Sequence, residues 1–434
     1  MLARTLTFSP AEDESCFREL PSLPAVFSLR GDGEPYVSKT ADLRRRIRRL
    51  LAEPPEETKR LNLRGRVREI AFTPTGSDFE SQFLLYQLLR ASLPNAYAAR
   101  LRLRPAPLIK LHMENQYPRA SVTTRIGRLP PRDRGETGAS SLPQPAGQTG
   151  DYRRALKPES GNLYYGPFPS RAAAEKFSSE ALDLFKMRRC VEDLHPDPSF
   201  PGCVYSEMKM CLAPCFKGCT DDEYQGEVDR VRKFFDSRGE SLSRELETER
   251  ERLSAGLAFE EAAYIHARLE KLRHTLGQLP EIAQRVDRLD AVILQPGAEA
   301  GTVCLFRFHR AQLAGPVSFR VEPHSEPGAP GTRDAETDTP EPQTSKPQTM
   351  ESRVEAAIHA FPLPEQLSSK ERTEHLALLK RWYYRSHRVG EIFFADQHGW
   401  PLRRLVRGIA RVYRGEKREQ ATSASRSSAD DSSC

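Results

Sequence analysis

Five of the eight cysteines in this 434-residue chain fall within one window of 30 residues. They are Cys190, Cys203, Cys211, Cys215 and Cys219. Thiolate sulfur binds iron–sulfur clusters and zinc, whereas disulfide frameworks are typical of short secreted domains. The N-terminus lacks the basic-then-apolar order of a secretory signal peptide. The window therefore favours a metal or cluster site over disulfides.

A run of arginines near the N-terminus is the second group of residues that could do chemistry. The run comprises Arg44, Arg45, Arg46, Arg48 and Arg49. Guanidinium groups neutralise DNA phosphates, so the run is a candidate DNA-binding surface. A solvated helix face would have the same composition, and both interpretations stay open at this point.

The composition is that of a folded protein without membrane segments. Hydrophobic residues make up 38% and charged residues 29% of the chain, and the net charge is only +6. The length predicts two or three domains. No stretch approaches the ~20 apolar residues that a membrane-spanning helix needs. We therefore expect a cytoplasmic protein with no membrane partner.

Hydrophobic periodicity places the arginine run on a helix that follows a β-hairpin. Strand patterns at 24–30 and 34–38 flank a Gly-Asp-Gly turn, and a helical pattern covers 41–51. A strand at 66–73 and a helix from about Ser77 to Ser92 come next. These elements predict a small sheet with helices.

The pattern downstream of the cysteines is helical and then strand-like. Thr220 and Glu223 form a capping box that begins a helix, and residues 241–277 have the pattern of a helical hairpin. Strand patterns follow at 289–295, 301–308 and 316–321. Three segments are poor in aliphatic residues and are expected to be disordered: 127–162, 322–352 and 419–434.

Several short motifs occur in one order along the chain. They are PAVFSLRGDGEPYVSKTADLRRR (24–46), LIKL (108–111), YYGPFPS (164–170), CLAPC (211–215), FEEAA (259–263) and RGEKRE (414–419). In this order they resemble the UvrC family of bacterial excinuclease subunits over roughly residues 21–420. The first motif resembles the opening of a GIY-YIG nuclease domain.

The resemblance implies a modular α/β fold. Its expected parts are a degenerate GIY-YIG-like domain at 21–100, a Cys-rich connector at 101–235 containing the insertion 127–162, a UVR helical hairpin at 240–277, a β-rich segment at 285–321, a linker at 322–352, a C-terminal α/β remnant at 353–418 and a tail at 419–434. The family's RNase H-like and helix-hairpin-helix domains would begin beyond RGEKRE. We therefore expect no second incision from this polypeptide.

The resemblance also implies catalytic roles. In the family a tyrosine activates water for attack on a DNA phosphodiester, a lysine and an arginine balance the phosphate charge, and a helical glutamate holds the divalent metal. Tyr36, Lys39 and Arg46 occupy the first three positions. Leu85 occupies the fourth, and an aliphatic side chain cannot bind Mg²⁺ or Mn²⁺. We therefore expect an impaired incision site.

Four of the clustered cysteines resemble the family's iron–sulfur ligand set. Cys190, Cys203, Cys211 and Cys215 are separated by 12, 7 and 3 residues. The resemblance implies a 4Fe–4S cluster, with zinc as the alternative because four thiolates can also surround one zinc ion. Cys219 would then be a spare thiol.

The second helix of the predicted hairpin begins at Phe259 and Glu260. On a helical wheel Phe259 lies roughly 100° from the apolar seam, so it should stay outside the hairpin's own core and be free for a partner. The pair resembles the UVR motif, by which family members dock on the helicase-like subunit UvrB. Phe259 and Glu260 are therefore the predicted partner-binding residues.

Three functions are compatible with these features. The favoured one is a nucleotide-excision-repair protein that binds DNA and a UvrB-like subunit but has an impaired incision site. One alternative is an active excinuclease subunit that makes a single metal-dependent incision. The other is a redox-responsive DNA-binding regulator with an iron–sulfur cluster.

Overall fold

The computed structural model describes residues 2–53, 61–130, 161–321, 349–362, 367–396 and 398–416. These residues form twelve α-helices and three antiparallel sheets of four strands each. The predicted mixed α/β class is therefore confirmed. The predicted tail, residues 131–160 of the predicted insertion and residues 322–348 of the predicted linker lie outside the described residues. Within those described, no helix is long and apolar enough to cross a membrane.

The N-terminal sheet has the strand order β1-β4-β2-β3. Its strands are β1 (Arg4–Thr7), β2 (Ala25–Gly31), β3 (Tyr36–Thr40) and β4 (Val67–Pro74). Strand β1 pairs with β4, so the sheet begins upstream of residue 21, where the sequence analysis placed the domain start. Because β1 is a short edge strand with no buried residue, it lacks the hydrophobic alternation that would have revealed it.

Helices cover both faces of this sheet. Helix α2 (Leu43–Leu51), which carries the arginine run, and α1 (Asp13–Glu19) pack on one face. Helix α3 (Asp78–Ser92) packs on the other, where Phe79 and Phe83 join the same core as Val37. A short helix, α4 (Tyr97–Leu101), follows. The predicted hairpin and helices thus form where the periodicity placed them.

The region expected as a connector folds around a core of its own. Its sheet has the order β6-β5-β7-β8, formed by β5 (Leu108–Leu111), β6 (Ala120–Thr123), β7 (Leu163–Gly166) and β8 (Gln284–Arg285). Its helices are α5 (Arg171–Leu182), α6 (Val204–Glu207) and α7 (Asp221–Asp236). The predicted capping box of Thr220 and Glu223 begins α7. Buried aromatic side chains of α5 and α7 fill the core.

The predicted helical hairpin is present as α8 (Glu240–Ala255) and α9 (Phe259–Gly277). Leu242, Leu246, Leu269 and Leu272 are buried and join the core of the connector unit. The hairpin therefore rests on that unit by its base and leaves the α8–α9 turn exposed.

The C-terminal sheet has the order β11-β10-β9-β12. Its strands are β9 (Asp290–Pro296), β10 (Thr302–His309), β11 (Gln312–Arg320) and β12 (Glu391–Phe394), and its helices are α10 (Met350–His359), α11 (Ser369–Tyr383) and α12 (Leu402–Arg414). Because β12 pairs with β9, the segments predicted separately at 285–321 and 353–418 share one sheet. The prediction of disorder was wrong at residues 350–352, because Thr349 accepts a hydrogen bond from the Ser352 amide and begins α10.

Candidate functional site

Tyr36 and Arg46 form a hydrogen-bonded pair on the α2 face of the N-terminal sheet. Tyr36 begins the edge strand β3, and the Arg46 Nη2 group donates to its hydroxyl oxygen over 2.9 Å. The Tyr36 ring lies 6.1 Å from the ring of Phe27, centroid to centroid. Two of the three predicted catalytic residues are thus in contact, and the guanidinium holds the hydroxyl in position.

Lys39 leaves β3 on the opposite face, because side chains alternate along a strand. It forms an ion pair with Asp78 at the start of α3, and Asp78 pairs in turn with Arg385 beyond the end of α11. Burial would raise the pKa of Asp78, but the hydrogen bonds and charges of Lys39 and Arg385 outweigh it and hold that pKa below its usual value. Both carboxylate oxygens of Asp78 are therefore occupied by cations.

The acidic side chains of α3 are not available beside Tyr36. Leu85, at the position predicted for the metal ligand, is half-buried and packs against the core around α3. Glu80 is buried and accepts a hydrogen bond from the Gly76 amide over 2.7 Å, and burial raises its pKa. Across the described ranges, no group of three or more His, Cys, Asp or Glu side chains is placed to hold a metal ion.

The structure divides the arginine run by role. Arg44 donates to a backbone carbonyl of the segment that precedes β2, over 2.6 Å, and Arg48 forms an ion pair with Glu14 of α1 over 2.7 Å. Arg45 and Arg49 lie one turn apart on the exposed side of α2. Neither guanidinium has a hydrogen-bonding or acidic partner in the described part of the chain. Only part of the run is therefore free for phosphate.

A surface groove lies at the end of β3. It is lined by Lys39, Arg45, Arg46 and Arg49 together with Asp42, while Tyr36 borders a separate pocket. The structure thus brings the predicted lysine to the predicted DNA-binding arginines and not to the tyrosine.

The four cysteines of the predicted ligand set lie within electrostatic reach of one another. Burial raises the pKa of Cys211 to about 11, and the charges of Cys190, Cys215 and Cys203 add to that shift. All four are free thiols. Four thiolates can hold either a four-iron cluster or a single zinc ion.

A buried arginine faces this group of cysteines. Arg188 is 2% exposed, and its Nη1 donates to the Cys190 sulfur over 3.2 Å. Its other hydrogen bonds are to the carbonyls of Tyr117 and Glu192, each over 2.9 Å. No carboxylate of the described segments contacts it. Because a buried guanidinium is costly without a counter-charge, the adjacent Cys190 sulfur is the group placed to interact with it.

Sequence reasoning did not single out Arg188. Its only signal in the sequence is its place two residues before Cys190. Arginines are abundant in this chain, so the sequence does not distinguish Arg188 from the others. Its burial in the structure does.

The turn of the helical hairpin presents apolar side chains to solvent. Phe259 is 63% exposed, which confirms that it stays outside the hairpin core. Glu260 beside it is also exposed. Leu257 and Tyr264 are 72% and 66% exposed. Such a group of apolar side chains is typical of a protein-docking surface.

Known proteins are similar to this sequence over most of its length. The family model described as "UvrC/Cho excinuclease, middle domain" matches residues 145–234. UvrABC system protein C of Idiomarina loihiensis is 24% identical over 71% of this chain and 45% of its own length. The protein of the same name from Alcanivorax borkumensis is 26% identical over 72% of this chain and 46% of its own length. The chain thus spans about half the length of the curated relatives it matches. No solved structure matches it.

Proposed function

Because this chain belongs to the UvrC family, we propose that it is a nucleotide-excision-repair protein that binds DNA and a UvrB-like subunit and that its incision site is impaired. The observation that carries the proposal is that α3 offers no available carboxylate beside Tyr36. The position predicted for the metal ligand is a half-buried leucine packed against the core, and the carboxylate of Asp78 is paired with Lys39 and Arg385. Without a bound cation beside Tyr36, the negative phosphodiester resists attack.

DNA engagement is proposed for the groove at the end of β3. Its lysine and arginines are cationic at neutral pH and exposed or half-buried. Release of counterions from the DNA backbone would drive their binding to phosphates. Such contacts do not require Tyr36, so DNA binding and incision are separable.

Recruitment is proposed for the hairpin turn. Phe259 offers an aromatic anchor, and aromatic side chains are common hot spots of protein interfaces. Glu260 adds a charge beside it that can select the partner's orientation. The UvrB-like subunit is therefore the proposed partner of this surface.

A 4Fe–4S cluster is proposed on Cys190, Cys203, Cys211 and Cys215. When bound, the cluster would cross-link the loops around α6 and supply a redox-active centre. Two observations support this cofactor: the proximity of the four thiols and the buried guanidinium of Arg188 on the Cys190 sulfur. Zinc remains the alternative on the same ligands.

One observation favours the second candidate, an excinuclease subunit that makes a single incision. Arg46 still positions the Tyr36 hydroxyl over 2.9 Å. A nicking assay separates the two functions. The protein is mixed with a UvrB-like subunit and damaged duplex in Mg²⁺ or Mn²⁺, with a full-length UvrC as the positive control. We expect a DNA–protein complex and no nick. A nick that disappears with Tyr36→Phe would overturn the proposal in favour of the active subunit.

A further inference from the structure

Helix α12 has sharply separated apolar and basic faces. Leu405, Ile409 and Val412 are buried against the C-terminal sheet. The opposite face carries Arg403, Arg404, Arg407, Arg411 and Arg414. At ~100° per residue these five arginines fall within an arc of about 100°. Neither the DNA groove nor the hairpin turn includes this face.

Two neighbouring acids already neutralise part of the face. Glu391 of β12 is buried and binds the Arg411 guanidinium through two hydrogen bonds of 2.8 and 2.7 Å. This pair fixes α12 to the sheet. Glu416 lies 2.9 Å from Arg414 in an exposed ion pair, which contributes little in water.

The rest of the face is open. The distance from Arg403 to Glu351 of α10 is 4.0 Å, at the limit of an ion pair, and the Arg403 side chain is 86% exposed. Arg404 and Arg407 are exposed, and within the described residues no acid faces either guanidinium. Arg403, Arg404 and Arg407 extend over ~6 Å of helix. The face is therefore a strip of exposed guanidinium groups with a positive net charge.

The exposed arginines of α12 could bind either a lipid surface or a polyanion such as DNA, and the structure favours DNA. A basic amphipathic helix that binds a lipid surface must insert its apolar face, but the apolar face of α12 is buried in the protein. A regular polyanion needs only the exposed guanidinium groups. Duplex DNA presents phosphates in such a row, and arginine is well suited to phosphate oxygens.

We propose that the exposed arginines of α12 form a second phosphate-binding surface, which holds the backbone of duplex DNA in addition to the groove at the end of β3. The proposal rests on the DNA-binding function proposed above. It assigns part of the DNA affinity to the C-terminal sheet domain, for which neither the motifs nor the matches give a role.

The test is the salt dependence of binding to a labelled 30-base-pair duplex of arbitrary sequence, followed by fluorescence anisotropy. Each lost phosphate contact lowers the salt slope by about 0.9, so the double variant Arg404→Gln/Arg407→Gln should lower it by about 1.8. The loss of affinity between 50 and 200 mM salt then becomes about tenfold smaller than in the wild type. Arg404→Lys/Arg407→Lys keeps both charges and should keep the slope.

The matched control is Arg171→Gln/Arg244→Gln. It removes two exposed arginines that pair with glutamates of their own helices, so the change in net charge is the same. An unchanged slope in the α12 glutamine variant would overturn the proposal, as would an equal decrease in the control. Failure of the wild-type protein to bind the duplex at all would instead refute the proposed function.

Discussion

Tyr36 and Lys39 project from opposite faces of the N-terminal sheet, although only two residues separate them on β3. The Tyr36 hydroxyl accepts from Arg46 on the α2 side, while the Lys39 ammonium group pairs with Asp78 on the α3 side. The sheet therefore separates the tyrosine from the lysine. Lys39 borders the groove that is lined by arginines of α2, where DNA binding is proposed.

Replacing the two free arginines of α2 should weaken DNA binding. Arg45→Gln/Arg49→Gln removes two phosphate contacts and should lower the salt slope by about 1.8. Arg48→Gln should leave DNA affinity unchanged, because that guanidinium is held by Glu14. Tyr36→Phe should also bind normally. Fluorescence anisotropy measures the DNA affinity. If Arg48→Gln lost as much affinity as the double variant, the distinction between paired and unpaired arginines of α2 would be wrong.

Truncating the exposed aromatic of the hairpin should weaken the partner complex without harming the fold. Phe259→Ala should lower affinity for a UvrB-like subunit at least tenfold, because a central aromatic anchor contributes about 2 kcal/mol or more. Titration calorimetry measures the affinity, and the unfolding midpoint should be unchanged because Phe259 is largely exposed. Tyr413→Ala removes an exposed aromatic of α12, outside the helical hairpin, and is the control. Equal losses in both variants would show that Phe259 has no special role.

The ligand set predicts which cysteines a cluster needs. Protein purified without oxygen should contain iron and sulfide and absorb visible light, and Cys211→Ser should lose all three properties. Cys219→Ser is the matched control, because it removes a half-buried thiol outside the proposed set. Iron and zinc analysis of both variants measures the outcome. Zinc without sulfide would establish the alternative cofactor, and no bound metal would refute the site.

The buried guanidinium should tune that cluster. Arg188→Met keeps a long side chain but removes the charge and the hydrogen bond to the Cys190 sulfur. Both interactions favour the added electron, so the reduction potential should become more negative. Arg188→Lys should shift it less. Redox titration gives the potential, and circular dichroism checks the fold. An unchanged or more positive reduction potential in Arg188→Met would refute the proposal that the Arg188 charge stabilises the reduced cluster.

Acid should destabilise the protein through His375. Burial lowers its pKa to about 4, and its Nδ1 accepts from the Leu313 amide over 3.1 Å. Between its unfolded pKa of about 6.5 and this folded value, the unfolded chain binds more protons. The stability contributed by neutral His375 is therefore fully present above the unfolded pKa. As the pH falls from 7 to 5, this group lowers the free energy of unfolding by about 2 kcal/mol.

Denaturant unfolding of His375→Asn checks this pH dependence. The asparagine oxygen can accept the same amide but does not titrate, so the variant should lose about 2 kcal/mol less than the wild type over that range. His112, whose pKa burial also lowers to about 4, titrates alike in both proteins. His266→Asn, at an exposed position, should behave as the wild type. Parallel pH profiles for His375→Asn and the wild type would contradict the assignment.

Local signals were sufficient for much of the fold. The hairpin of β2 and β3, the capped start of α7 and the paired helices α8 and α9 form where periodicity and capping placed them. Exposure of Phe259 also followed from its angle on the helix. These features depend on residues a few positions apart, and such interactions can be derived from the sequence alone.

Pairings between distant segments could not be derived in this way. Strand β12 pairs with β9, which precedes it by nearly a hundred residues, and β8 completes the sheet of a unit that begins near residue 108. Short strands can pair with any available sheet edge, and their sequence does not specify which strand the partner will be. The predicted segments were therefore divided more finely than the sheets.

The sequence by itself determined the chemical groups: clustered thiols, a run of guanidinium groups, a leucine at the position predicted for a metal ligand and an aromatic at a helix start. Only the tertiary structure decided what each group faces. It directed Arg48 to Glu14, Lys39 to Asp78 and the buried Arg188 to a cysteine sulfur. The physical reason is that a charge acts through its surroundings, and burial and counter-charges come from segments far apart in the chain.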